Sequence, residues 1–316
     1  MSVIKVIANL SNLLFVLALV LGLYLPQAGP LAYILVLPAL AVTLGVTLLR
    51  FPGGFFNKPR ELMRDALWGI VMNYFVLGNL IIIGGLFLVR DEKLWEGLVL
   101  MAAVPAGAVA LSLGGKVRFG SKMILAGFAG TYMASLVLIP LIGVAFLKFI
   151  PMHYDRLIMV PLSLIVLPLL LSHIVVDQNK DEWVRRHERM ITDVCFFIVF
   201  YALAANNSKL IRLWPTDIVS MAVIACGAIL IPAAIVLIAG RFFRLPYPRV
   251  SSLMLLGTMK NCGLAGGVAI YIFGNEAGVP ALVFAVFMFL NVIWLKTRDI
   301  YNKRYLRADD PPEEVV

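Results

Sequence analysis

Residues 251–273 read SSLMLLGTMKNCGLAGGVAIYIF, an apolar stretch long enough to cross a bilayer, with one lysine, Lys260, near its centre. A lysine at the middle of a membrane helix costs about 2.5 to 3.5 kcal/mol on insertion scales, so it marks a functional position more often than an incidental one. Asn261 follows it, and Gly257, Gly263, Gly266 and Gly267 surround it. Glycine loosens helical backbone, and loosened backbone at membrane depth is tolerated only where it packs in protein or lines a wet cavity. This stretch is the first candidate for a binding site.

The rest of the chain has the same character. Of 316 residues, 61% are hydrophobic and 14% charged, and the mean hydropathy is +0.94. These values are those of an integral membrane protein. With about 20 apolar residues per helical span, the runs place spans near residues 4–25, 31–49, 66–89, 95–113, 121–147, 157–176, 190–208, 217–240, 250–273 and 277–295. The stops between them are Pro26 and Pro30, FPGGFFNKPRE from Phe51, RDEK from Arg90, Pro151, QNKDEWVRRHER from Gln178, Pro215, and LPYPR from Leu245. Little chain remains for a soluble catalytic domain. The first 25 residues could pass for a signal peptide, but no small-x-small cleavage site follows their apolar core, and they are read as a span.

The net charge is +9, and its distribution speaks for a membrane rather than a nucleic acid. With the amino terminus on one face, that face collects twenty of the 27 Lys and Arg and the opposite face six, Lys260 being the last. The positive-inside rule then puts both termini in the cytoplasm of a multi-pass cell-membrane protein. Cys195, Cys226 and Cys262 lie in apolar runs without metal-ligand spacing and read as small buried hydrophobes. There is no HExxH, no GxSxG and no paired acid at membrane depth, so an enzyme is not expected. Asp65, Asp177, Asp193, Asp217 and Glu276 fall near span ends. Lys260 is thus left without an evident ion-pair partner, a role a substrate carboxylate or sulfonate could fill.

Ten spans divide into residues 1–150 and 151–300, five each, with a cytoplasmic tail at 301–316. An odd-numbered half inserts in the opposite sense from its copy, the inverted-repeat plan of many secondary transporters. Interrupted helices at matching positions are the best sequence pointer to a transporter site. The fourth run carries AAVPAGAVALSLGG from Ala102, with Pro105 and Gly107 at its middle, and the ninth carries LLGTMKNCGLAGG. Each is fourth in its half. Both are expected to unwind, since proline removes a backbone donor and glycine lowers the cost of non-helical dihedrals.

MKNCGLAGGVA at Met259 resembles the ninth-helix signature of the bile acid:sodium symporter family, approximately M-Q-N-S-G-L-A. VPAGAVAL at Val104 is similar to its fourth-helix pattern P-G-G-T-A-S-N. PALAVTLGVTLL at Pro38 resembles the second helix and IVMNYFVLG at Ile70 the third. With the ten-span count, cytoplasmic termini and paired broken helices, the resemblance covers essentially the whole chain. It implies an all-α membrane protein of ten transmembrane helices, a five-plus-five inverted repeat with broken, crossing fourth and ninth helices, in core and panel domains. It also implies sodium-coupled symport of organic anions. Efflux carriers of the same bile/arsenite/riboflavin transporter superfamily share the architecture.

The chain departs from the family at the sodium ligands. The family's ninth-helix Gln falls on Lys260, its Glu on Leu256, its fourth-helix Ser-Asn pair on Ala110 and Leu111, and its third-helix Gln on Asn73. Sodium is therefore not expected and no metal is assigned. Instead the Lys260 ammonium is expected to take the cation's place against backbone carbonyls freed by the unwound helices. Desolvation disfavours the charged form of a lysine, so such a residue can release a proton during a transport cycle. The expected substrate-binding set is Lys260, Asn261, Asn73, Pro105, Gly107, Ala108 and Gly263, with Lys260 also the coupling residue. The expected partners are a small organic anion and membrane lipid, with no cofactor and no nucleic acid, the chain being a monomer or homodimer. The alternatives are an efflux carrier and a non-transporting sensor on a transporter scaffold.

Asn79, Thr131, Ser135, Asn206, Asn207 and Asn291 are expected to make interhelical hydrogen bonds. His173 and the tryptophans Trp68, Trp95, Trp214 and Trp294 are expected near the interfaces.

Overall fold

Apart from breaks at residues 104–108 and 259–261, each apolar run is wound into helix over most of its described part in the computed structural model, which describes residues 10–49, 51, 55, 58–114, 121–147, 154–177, 181–213 and 215–305. The helices are α1 (Leu10–Tyr24), α2 (Gly29–Leu48), α3 (Pro59–Leu88), α4 (Glu92–Ala103), α5 (Val109–Gly114), α6 (Ser121–Leu147) and α7 (Tyr154–Asp177). They continue as α8 (Asp181–Asn206), α9 (Ser208–Leu213), α10 (Pro215–Phe242), α11 (Tyr247–Thr258), α12 (Cys262–Ile272) and α13 (Val279–Tyr305). The described residues contain no β-strand, only one isolated bridge between Ala106 and Lys260.

Among the described residues five stretches are long and apolar enough to cross a membrane: Pro26–Leu48, Pro59–Leu88, Lys122–Leu147, Thr216–Phe242 and Asn275–Leu295. Large apolar side chains also face outward, Phe87 at 83% exposure and Ile34 at 69%. An outer surface of this kind suits lipid, not water. The molecule is an all-helical membrane protein.

Two helix lengths differ from the hydropathy reading. α8 starts at Asp181 and not near residue 190, because the Glu, Arg and Met residues of DEWVRRHERM sustain a helix although the segment is too polar for a hydropathy reading to include it. α13 runs on to Tyr305, into the expected tail. Residues 4–9, Trp214 and the chain beyond Tyr305 lie outside the described residues, as does the His173 side chain.

The helices pack in two groups. α8 lies along both α1 and α2, and α2 packs on α7. In the other group α3 packs on α6, α4 on α6, and α10 on α3, α11 and α13. At the α3–α6 crossing a Cβ on Gly69 would stand 2.5 Å from the Gly127 Cα, so glycine at position 69 lets the backbones meet. Each group draws on both halves of the chain, which are therefore interleaved in space. The interrupted pair, α4–α5 and α11–α12, sits in the second group with α12 reaching α2, α7 and α8 of the first.

A candidate cation cage and cleft at the helix crossing

Val104 precedes a proline and takes extended dihedrals, φ −72° and ψ 155°, as the Pro105 ring demands of its neighbour. α4 ends there. On the other segment Met259 is extended at φ −114° and ψ 105°, and Asn261 restarts the helix by accepting a hydrogen bond from the Leu264 N–H, 3.0 Å, as N-cap of α12.

The two extended links run antiparallel and satisfy each other. Gly107 N–H donates to Met259 C=O at 3.1 Å and Asn261 N–H to Pro105 C=O at 2.9 Å. Ala106 N–H donates to Thr131 Oγ1 at 3.3 Å. Non-helical backbone in an apolar slab needs such partners. Gly107 is required here, since a Cβ would lie 2.7 Å from Lys260 C=O.

Lys260 is 1% exposed. Its ammonium donates to Ala102 C=O at 2.7 Å, Val104 C=O at 2.8 Å and Asn73 Oδ1 at 2.9 Å. The two carbonyls are free because the chain leaves the helix at Pro105, and they form the negative end of the α4 dipole. Tyr74 places its ring 4.6 Å from Lys260 Nζ, within cation–π range. Asn73 is held in turn by donating to Leu256 C=O at 3.2 Å and Met259 C=O at 3.4 Å, acceptors beside the second break.

Asn73 and Tyr74 stand in a π-helical stretch of α3, Val71–Gly78, where Asn79 N–H reaches back to Tyr74 C=O. Such widened turns occur often at functional sites. Nothing in the composition of VMNYFVLG signals one, and Tyr74 was not legible as a cage member, whereas carbonyls freed at a helix break were expected around Lys260 and are those of Ala102 and Val104.

The expected site residues fall in two places. Lys260, Asn73, Pro105 and Gly107 form the cage and crossing. Asn261 and Ala108 line a cleft between α2, α7 and α8 on one side and α6, α12 and the link before α5 on the other, whose other polar lining groups among the described residues are Thr43, Thr47 and Tyr132. Gly263 borders this cleft, its missing Cβ 3.3 Å from Leu40 and 3.6 Å from Phe196. The cleft is narrow here, with room for about one water at ≈ 10 Å³.

Two expectations need correction. A substrate anion does not cap the ammonium in this structure, because all three N–H groups are taken by protein acceptors and Lys260 is not among the cleft-lining residues. The acids named near span ends were also incomplete, since Glu96 stands at the start of the 95–113 run. Glu96, inside α4, is 1% exposed and pairs with Lys93 at 3.0 Å, one turn from it. The long Lys93 stem carries its charge to a carboxylate the hydropathy reading passed over.

Ala110, Leu111 and Leu256 are 0%, 6% and 0% exposed and bring no side-chain oxygen. Of the six other polar residues, Thr131, Asn206 and Asn291 link helices, Asn291 donating to Thr258 Oγ1 at 3.1 Å and Asn206 to Gly29 C=O at 3.3 Å. Asn79, Ser135 and Asn207 bond within their own stretch of chain. No protein-family model and no curated protein matches this chain.

Proposed function

We propose that the protein is a secondary active transporter that moves a small organic anion by alternating access, with the Lys260 ammonium occupying the place of a coupling cation. The observation that carries this reading is the cage itself: an ammonium bonded to three neutral oxygens where two interrupted helices cross. Broken helices crossing at a polar point are how transporter folds present ion and substrate sites. No carboxylate pairs with Lys260 among the described residues, so its charge leaves the region positive and favours an anionic solute.

The resemblance to the bile acid:sodium symporter family adds the architecture, ten spans in an inverted repeat with both termini cytoplasmic. The grouping of α1, α2, α7 and α8 against the remaining long helices is what panel and core domains would look like. Movement of one group against the other would open and close the cleft between them. Coupling passes to the proton: Lys260 binds the cage when charged and releases it when neutral.

The test is counterflow in proteoliposomes, using whichever labelled organic anion most raises the unfolding temperature in a screen with and without sodium. Exchange of labelled for unlabelled anion supports transport. Binding without exchange would make the protein a sensor.

A further inference from the structure

The cleft contains two donors that the described residues leave unused. Asn261 has its Oδ1 committed to the α12 cap, which turns its amide nitrogen toward Tyr132, and one N–H donates to Tyr132 Oη at 2.8 Å. The second Asn261 N–H has no acceptor among the described residues, and neither does the Tyr132 hydroxyl proton. Tyr132 is 6% exposed, so water has little access to it. Buried donors without acceptors are unfavourable, and the cleft is where an acceptor can enter.

The other polar lining groups do not compete. Thr43 and Thr47 donate their hydroxyl protons to Ala39 C=O at 2.8 Å and Thr43 C=O at 2.7 Å, within α2. The remaining walls are apolar, including Leu44, Leu164, Phe196 and Leu264. Among the described residues no charged side chain lines the cleft, but Lys260 is the neighbour of Asn261 in the chain.

We infer that Tyr132 and Asn261 together bind the carboxylate of a substrate with an apolar body, Tyr132 donating to one oxygen and Asn261 to the same or the other. The inference rests on the transport reading for the solute's charge and deepens it by naming the head group and a binding residue, Tyr132. The positive field of Lys260 favours the anion without touching it. The apolar walls take the hydrocarbon part once movement of the two helix groups has opened the cleft, which in this structure has room for about one water.

The test uses purified full-length protein with hexanoate and benzoate as probes, and hexanol and hexylamine as comparators. Wild type is expected to bind at least one carboxylate ten or more times more tightly than either comparator. Tyr132→Phe keeps the ring that packs against Phe128, with centroids 4.4 Å apart, and its unfolding temperature without ligand shows that it is folded. It is expected to lose at least tenfold in carboxylate affinity. Equal carboxylate binding by wild type and Tyr132→Phe overturns the role of Tyr132 and leaves the transport reading standing. Preference for hexylamine or hexanol overturns the inference and the anionic substrate together.

Discussion

At the scale of the residue, Lys260 was legible because a charge in an apolar run stands out in any hydropathy reading. That carbonyls freed at the breaks would receive it was expected too, but which ones, Ala102 and Val104, was not legible, since carbonyls carry no sequence signature and become available only where the helix ends. The ammonium fills a cage with a ready set of oxygens, and this predicts chemical rescue. Lys260→Ala leaves Ala102 C=O, Val104 C=O and Asn73 Oδ1 without their donor, at about 1–3 kcal/mol for each unpaired group. Its unfolding temperature is expected to fall by several degrees and to be partly restored by millimolar methylammonium, while choline, too large for the space, restores nothing. Scanning fluorimetry of the detergent-solubilised protein reads both. Tyr132 escaped the sequence reading for a different reason: a tyrosine in an apolar run is ordinarily core, and only the Asn261 contact shows its hydroxyl to be special.

At the scale of the element, proline and glycine gave away the break between α4 and α5, and a glycine cluster gave away the neighbourhood of the second. The second break itself falls at Met259–Asn261, where no proline acts and the cap made by Asn261 decides. The π-helical turn of α3 was hidden, because it answers to the tertiary demand that Asn73 and Tyr74 both face Lys260. Crossing links held by reciprocal backbone bonds leave no space for a side chain at Gly107. Gly107→Ala is expected to lower stability by about 1–3 kcal/mol, the usual cost of overpacking, and to weaken anion binding through the displaced Lys260 carbonyl. Thermal unfolding and a carboxylate titration on the same preparation check both parts. α8 shows the converse limit: hydropathy marks where the membrane ends, whereas helix propensity carries the element nine residues further out.

At the scale of the whole molecule, the all-helical membrane class follows from composition alone, but the interleaving of the two halves does not. It arises because each helix group collects elements far apart in the chain, and one sequence contains no record of those pairings. The orientation is a separate expectation from charge. Single cysteines introduced near each terminus in a background lacking Cys195, Cys226 and Cys262 are expected to react with an impermeant maleimide only from the cytoplasmic side. Labelling of one terminus from outside would show an odd number of spans and break the proposed symmetry.

The central claim is that Lys260 replaces a coupling cation, and uptake into proteoliposomes tests it most directly. Labelled anion uptake by the wild type is expected to rise severalfold under an imposed pH gradient, acidic on the uptake side, and to be unchanged when sodium is exchanged for choline. Lys260→Gln is expected to lose the response to pH. Sodium-stimulated uptake by the wild type, or a pH response undiminished in Lys260→Gln, would contradict the claim.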